Sequence, residues 1–397
     1  MTTVGIIAEY NPFHNGHRYQ IAEIRRRLDD PTIAVAMSGS FTQRGEPAIL
    51  DKFIRAQTAV DGGADLVVEL PFIFSTRSAQ DFARGGVKIL SALGIDRLAF
   101  GSEVDDLQSI KKAAAMIDGD EIKLRLREKL SAGQSYARAL RESLGLTVAD
   151  QPNAMLAIEY LRALRSTTIE PLLIKRIGAT HDDRSIEGTI ASASAIRSRL
   201  PDFSSIAPTV ARSTLEALRS TAQPSTEKLF LPLATKILMS TAEELRAIYG
   251  MTEGLEYKLI RAARSTTSLD GLIGSMISRR YTRSRIQRLI LHVLTGLTAE
   301  DVKIFDGEFY IRPLAFNGRG RLLLRKIKST ATIVTKTAQH LTTRQMYDRL
   351  SMLETYQRML ALDVRATDLR EFLTEAPRVG KDFLFDWKEQ NLWSMRR

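Results

Sequence analysis

No cysteine occurs in the 397 residues. That absence removes disulfides, thiolate nucleophiles and cysteine-ligated zinc together. No stretch approaches the roughly 18 uninterrupted apolar residues that a membrane-spanning helix needs. The opening residues have no basic segment leading into an apolar run and a small-residue cleavage site, so a cytoplasmic protein with no membrane partner is expected. Internal repeats and low-complexity tracts are missing too. Nor is there a triad motif that would support an acyl-enzyme.

What the chain has in excess is positive charge, a formal +11. Residues 1 to 200 hold 26 basic and 25 acidic residues, while residues 201 to 397 hold 31 and 21. From Arg279 to Lys336 there are 13 basic and 4 acidic residues. A near-neutral half joined to a basic half suggests chemistry in one and a grip on a polyanion in the other. Solubility by self-repulsion is the plainer alternative, but it does not require clustering.

The first 200 residues alternate short apolar runs with amphipathic stretches. Val4–Tyr10, Ile33–Ser38, Asp65–Pro71, Arg97–Glu103 and Leu172–Gly178 have the Val, Ile and Leu content and the polar or Gly/Pro borders of buried strands. Helical spacing covers Gly16–Leu28, Pro47–Val60, Ala79–Leu93, Asp106–Ile117 and Pro152–Leu164, with Asp105 as a cap and Pro152 near a helix start. This alternation predicts an α/β fold, a Rossmann-like doubly wound parallel sheet. A linker at "PDFSSIAPTVARST" leads to a mostly α-helical basic domain. The predicted boundaries are 1–204 and 205–397. In the second part Ile286, Leu289, Ile290, Val293 and Leu294 mark a buried helix face. Glu308–Lys328 combines a short strand, a Gly-rich turn and a basic helix.

Where the first strand should end stands "NPFHNGH", residues Asn11 to His17. Open sheets of this kind bind ligands beyond the carboxyl ends of their strands. Pro12 ends the strand, Gly16 permits close approach of a ligand, and the helix that starts there offers unpaired N–H groups. His14 and His17 beside that helix start can donate to phosphate oxygens, and a protonated imidazole would follow charge developing at an α-phosphorus. The same spacing also suits turn and cap residues. A zinc pair lacks a third ligand. Further on, "IASASAIRSRL" places Ser192 and Ser194 at a helix start with Arg197 in the first turn, an anion clamp by the same physics or simply a capped helix.

With its strand, Asn-Pro and helix in order, the first motif resembles the H-x-G-H signature of the nucleotidylyltransferase superfamily, and the second resembles that superfamily's late Ile-Ser-Ser-Thr-x-x-Arg motif. Longer stretches, "AEYNPFHNGHRYQI", "MSGSFTQRGEPAILDKFIRAQTAVDGGADLVVELP", "FGSE", "PNAMLAIEYLRAL", "IASASAIR" and "RRYTRSRIQRLILHVL", are similar to the tRNA(Met) cytidine acetate ligases. That resemblance implies activation of acetate by ATP, with Mg2+, to acetyl-adenylate and pyrophosphate. Acetyl transfer to the wobble cytidine of elongator tRNA(Met) follows. The partners implied are tRNA(Met) and acetate, with no DNA. It implies catalytic roles for His14, His17, Ser194 and Arg197. ATP contacts fall on Ile7, Ala8, Glu9, Tyr10, Asn11, Pro12, Phe13, His14, Asn15, Gly16, His17, Arg18, Tyr19 and Gln20, and on Gly101, Asn153, Arg176 and Ile177.

Read from the residues alone, Gly101, Asn153 and Arg176 sit at element ends where adenosine should lie. Ser38, Gly39, Gln43 and Arg44 follow the second strand, and Gly39 and Gly45 would let that loop fold over a small acyl group. Asp51 and Lys52 suit an exposed helix pair. In the basic half Arg285, Arg288 and His292 share a helical stripe away from the apolar face. Tyr281 offers a stacking surface, and Arg319, Arg321, Arg325 and Lys326 add phosphate contacts. A small-molecule adenylyltransferase of the same fold, or a non-catalytic RNA-binding protein, are the competing readings. The first needs no basic half, and the second needs no intact nucleotide loop.

Overall fold

Val4, Ile6, Ile33 and Val35 are buried on one face of their sheet, and Ile7, Ala34, Leu66 and Val68 on the other, as a parallel sheet covered on both faces requires. In the computed structural model the described residues are 2–145, 151–177, 186, 188–252, 254–348 and 352–385. Six strands make one sheet: β1 (Thr3–Ala8), β2 (Thr32–Ser38), β3 (Leu66–Leu70), β4 (Arg97–Ser102), β5 (Glu170–Lys175) and β6 (Pro313–Phe316). Their order is β5-β4-β1-β2-β3-β6. The first five are parallel. Chain order therefore reverses between β1 and β4, which puts the binding crevice beyond Ala8 and Ser102. Gly178, the expected end of the fifth strand, lies outside the described residues.

Helices Asn15–Arg27, Ala79–Ala92 and Pro152–Leu164 fall where spacing places them, the last with Pro152 in its first turn. Asp106 rather than Asp105 caps Leu107–Ile117, because its carboxylate reaches the Gln108 and Ser109 amides. The helix expected from Pro47 begins only at Lys52, where Asp51 accepts from the Ile54 amide. Before it the chain is not helical, with Pro47 bridged to Phe41 and bends at Ile49 and Leu50. Two helices, Asp120–Ser131 and Tyr136–Leu144, lie between β4 and β5 where no element was expected. The stretch read as a linker is also structured. Its Ile206 and Val210 pack with Ile49, Leu50 and Ile196, so its apolar residues have a surface to bury against.

The expected strand in Glu308–Lys328 forms, and it joins the sheet of the first half: β6 runs antiparallel along β3. Asn317 caps the following helix, Gly318–Ile327, and donates to the Asp65 carboxylate at 2.8 Å. Gly320 is required there, since a Cβ would fall 2.0 Å from the Asp65 carbonyl oxygen.

A buried ionic seam joins the halves. Lys52 Nζ lies 2.8 Å from Glu69 and 2.9 Å from Asp382. Arg312 reaches the same two carboxylates at 3.3 and 2.7 Å. Lys381 pairs with Asp51 at 3.0 Å and with Glu371 at 2.9 Å. Asp51 and Lys52 are thus buried, not an exposed helix pair. Their partners come from the far end of the chain, and Arg370 adds bonds to the carbonyls of Ala48 and Ile49. Gly39 and Gly45 serve this packing rather than a mobile cover. A Cβ would meet Glu69 at 2.3 Å from Gly39, and the backbone of the Arg283–Thr295 helix at 2.7 Å from Gly45.

Candidate active site

Tyr10 turns the chain sharply after β1 with φ of 46°, a left-handed conformation that a bulky residue keeps only when neighbours hold it. Those neighbours are visible. Arg55, fully buried, donates to the carbonyls of Glu9, Ser38, Gly39 and Leu50. The Asn11 side chain accepts from the Ile49 amide at 2.8 Å, and Arg197 donates to the Asn11 carbonyl at 2.8 Å. The loop is fixed before any ligand arrives.

His14 caps the Asn15–Arg27 helix. Its Nδ1 accepts from the Gly16 amide at 3.0 Å, and Nδ1 of His17 accepts from the His14 amide at 3.2 Å. The rings stack with centroids 3.8 Å apart. With both Nδ1 atoms occupied as acceptors, the proton of each neutral ring sits on Nε2, the edge left for a ligand. Burial pushes His14 down to about 3, with Arg176 and Arg197 adding to it. Burial, then His14 and Arg176, also hold His17 well below the usual histidine range. With only the protein around them these rings are neutral N–H donors, since burial beside two arginines disfavours a further cation.

One cleft of about 350 Å³ is lined by Ile7, Ala8, Glu9, Tyr10, Asn11, His14, His17, Gln20, Gly101, Asn153, Arg176, Ser194 and Arg197. Gly16, Tyr19 and Ile177 line a smaller extension of about 50 Å³ that shares both histidines, Gly101 and Arg176. Four residues of the loop stand outside both. Phe13 is core, with its ring 4.9 Å from that of Tyr10. Pro12 is buried in the turn, Arg18 is exposed, and Asn15 donates to the Thr189 and Pro208 carbonyls.

Ser192 caps the helix Ala193–Arg199 by accepting from the Ala195 amide at 3.0 Å, and Arg197 approaches Ser194 at 3.5 Å. At the other end Arg176 runs over Gly101, whose Cβ would come 3.2 Å from its side chain. Asn153 donates to Glu103, whose other carboxylate oxygen is buried without a hydrogen-bond partner. Glu9 accepts from the Gln43 amide at 2.7 Å, and burial raises its carboxyl above the ordinary range.

A family described as HIGH Nucleotidyl Transferase matches residues 1–382. The tRNA(Met) cytidine acetate ligase of Thermoanaerobacter sp. (strain X514) is 37% identical, over 97% of this chain and 98% of its own. The chain belongs to the tRNA(Met) cytidine acetate ligase family. The ligase of Lysinibacillus sphaericus (strain C3-41) is 34% identical over 96% of this chain and 98% of its own. Thermotoga maritima TmcAL, in an apo crystal structure, superposes with a TM-score of 0.85 at 30% identity over 96% and 98% of the two chains. A second structure of that protein, bound with alpha-thio ATP, gives 0.84 at 29% over 97% and 98%.

Against the expectations for a tRNA(Met) cytidine acetate ligase, the cleft adds Ala79, Phe82, Phe100, Met155, Leu156 and Tyr160. Their letters read as core, so only the fold could reveal them. The expected RNA stripe changes more. His292 is buried with Nε2 3.0 Å from the Thr76 carbonyl, and Arg288 donates to the Gln43 carbonyl at 3.0 Å. Tyr281 is buried, with Arg285 over its ring at 4.6 Å. Arg319 pairs with Asp30 at 2.6 Å. Arg279, Arg321, Arg325 and Lys326 are exposed, and Arg280 is half-buried.

Proposed function

We propose that this cleft activates acetate with ATP and passes the acetyl group to the wobble cytidine of elongator tRNA(Met). One observation carries the reading: two stacked neutral imidazoles at a helix start, each with only Nε2–H left to donate, facing a cleft that Arg197 also lines. An acetate oxygen bonds to the α-phosphorus, the bond to pyrophosphate breaks, and the paired N–H groups with Arg197 and Ser194 meet the oxygens that gain charge. Gly101, Asn153, Arg176 and Ile177 hold the adenosine end. In the second step the exocyclic amine bonds to the acetyl carbon, AMP leaves and a proton is released.

Among the described residues no group of three potential ligands for a metal occurs. A magnesium ion would therefore enter on the triphosphate, keeping its waters and at most one or two carboxylates. Residues 1–204 supply the chemistry in this reading, and 205–397 present the exposed cations to the anticodon arm. With tRNA as its substrate, the reaction in this reading belongs to the cytoplasm. The test is incubation with ATP, labelled acetate and tRNA. Pyrophosphate release should depend on acetate without RNA, and label should enter tRNA(Met) only. Release without acetate dependence, or label that never reaches RNA, defeats the proposal.

A further inference from the structure

The cleft also has an apolar wall beside its polar residues. There its floor is Ile7, Phe82, Phe100 and Tyr160, all at most 8% exposed. Each aromatic comes from a different element: Phe82 from the Ala79–Ala92 helix, Phe100 from β4 and Tyr160 from the Pro152–Leu164 helix. The rings of Phe100 and Tyr160 lie 5.8 Å apart. Side chains fixed on three packed elements make a rigid wall. Ala79, one helical turn before Phe82 on the same face, keeps the entrance open. The rim is polar and also fixed: Gln43 donates its amide to Glu9 at 2.7 Å and its side chain to the Arg77 carbonyl at 3.0 Å.

A largely aromatic floor beneath a polar rim suits a ligand with one small apolar end and one charged end. In the proposed reaction that ligand is the acid, its carboxylate turned toward the α-phosphorus and its methyl turned away. We infer that Phe82, Phe100 and Tyr160 are the acyl-selecting floor of this enzyme, with Phe82 setting the depth that admits two carbons and refuses longer acids. The inference rests on the acetate-activating reading above. Its size is bounded by the cost of one methylene in a closed apolar pocket, a discrimination of about 10–200-fold.

The experiment is acid-dependent pyrophosphate–ATP exchange by the full chain with acetate, propionate and butyrate. Phe82→Ala should raise propionate relative to acetate by about tenfold or more. Ala79→Leu, a change at a half-exposed helix start that keeps the fold, should narrow the entrance and raise the acetate KM by a similar factor. Circular dichroism and ATP calorimetry on each variant establish that it is folded. An unchanged acid preference in folded Phe82→Ala, together with an unchanged acetate KM in Ala79→Leu, overturns the floor. So does loss of ATP binding in both folded variants, which would give this wall to the nucleotide. Exchange that ignores every acid in the unaltered protein instead defeats the acetate reading, and the floor with it.

Discussion

The cleft and the ionic seam are both dense in buried polar groups, and they treat them in opposite ways. In the seam Lys52 and Arg312 share Glu69 and Asp382, and Lys381 shares Asp51 and Glu371. The charges answer one another, although Arg312 Nη1 faces Glu69 as an ion pair without a hydrogen bond. In the cleft, the two histidines spend only one nitrogen each on the protein. Burial alone does not mark a site. What marks it is burial with hydrogen-bonding capacity left over and turned toward empty volume, because such capacity costs stability unless a ligand uses it.

The contrast can be broken first in the seam. Lys52→Met leaves Glu69 and Asp382 close together with one fewer cation, and stability should fall by about 3–5 kcal/mol in urea unfolding. A loss below 1 kcal/mol would mean that the seam is not held as described. In the cleft the loss should be of activity. His17→Ala should reduce acetate-dependent pyrophosphate release by about 2–4 kcal/mol in transition-state terms. Its stability should change by only about 1 kcal/mol, the worth of a helix cap. Equal losses of fold and activity would erase the distinction between the two regions.

Acid separates the regions more gently. His14 and His292 are pushed down to about 3 and about 4, in each case chiefly by burial, and His17 also lies well below its usual value. The unfolded chain therefore binds protons near pH 6.5 that the folded chain refuses. Each such group should make stability decline as pH falls from 6.5 toward 4, by about 1.4 kcal/mol per unit, while Asp363, raised by burial to about 7, opposes one of them over the same window. His292→Gln should lessen that slope by about one proton, read as Tm across a pH series. The smallest effect belongs to the surface. Arg319→Ala breaks the exposed pair with Asp30 and should cost less than about 1 kcal/mol, disappearing in high salt.

Much of the cleft was legible because its signals are local. Asn11 to His17 announces a strand end, a turn and a helix start within a few letters, and Ser192 to Arg197 does the same. The seam was illegible for the complementary reason. Lys52 finds its partner at Asp382, and nothing in "DKFIRAQTAV" points that far. Helical spacing located the apolar face of Arg283–Thr295 correctly. It also cast Arg288 and His292 as solvent-facing, because periodicity cannot report a second surface that buries the polar face. Phe82, Phe100 and Tyr160 carry no letter that separates a cleft wall from a core.

The sheet's last strand also sets the order in which this chain can be finished during its own synthesis. Five strands have emerged once Lys175 leaves the ribosome, yet β3 must wait for Pro313–Phe316 before its outer edge is paired. For more than a hundred residues of translation the nascent sheet carries an open edge of the kind that recruits other strands. Glu69, on that same strand, waits as long for Arg312. A ribosome stalled in this interval would hold a nearly complete nucleotide cleft on an unfinished sheet, the stage at which a chaperone has most to protect.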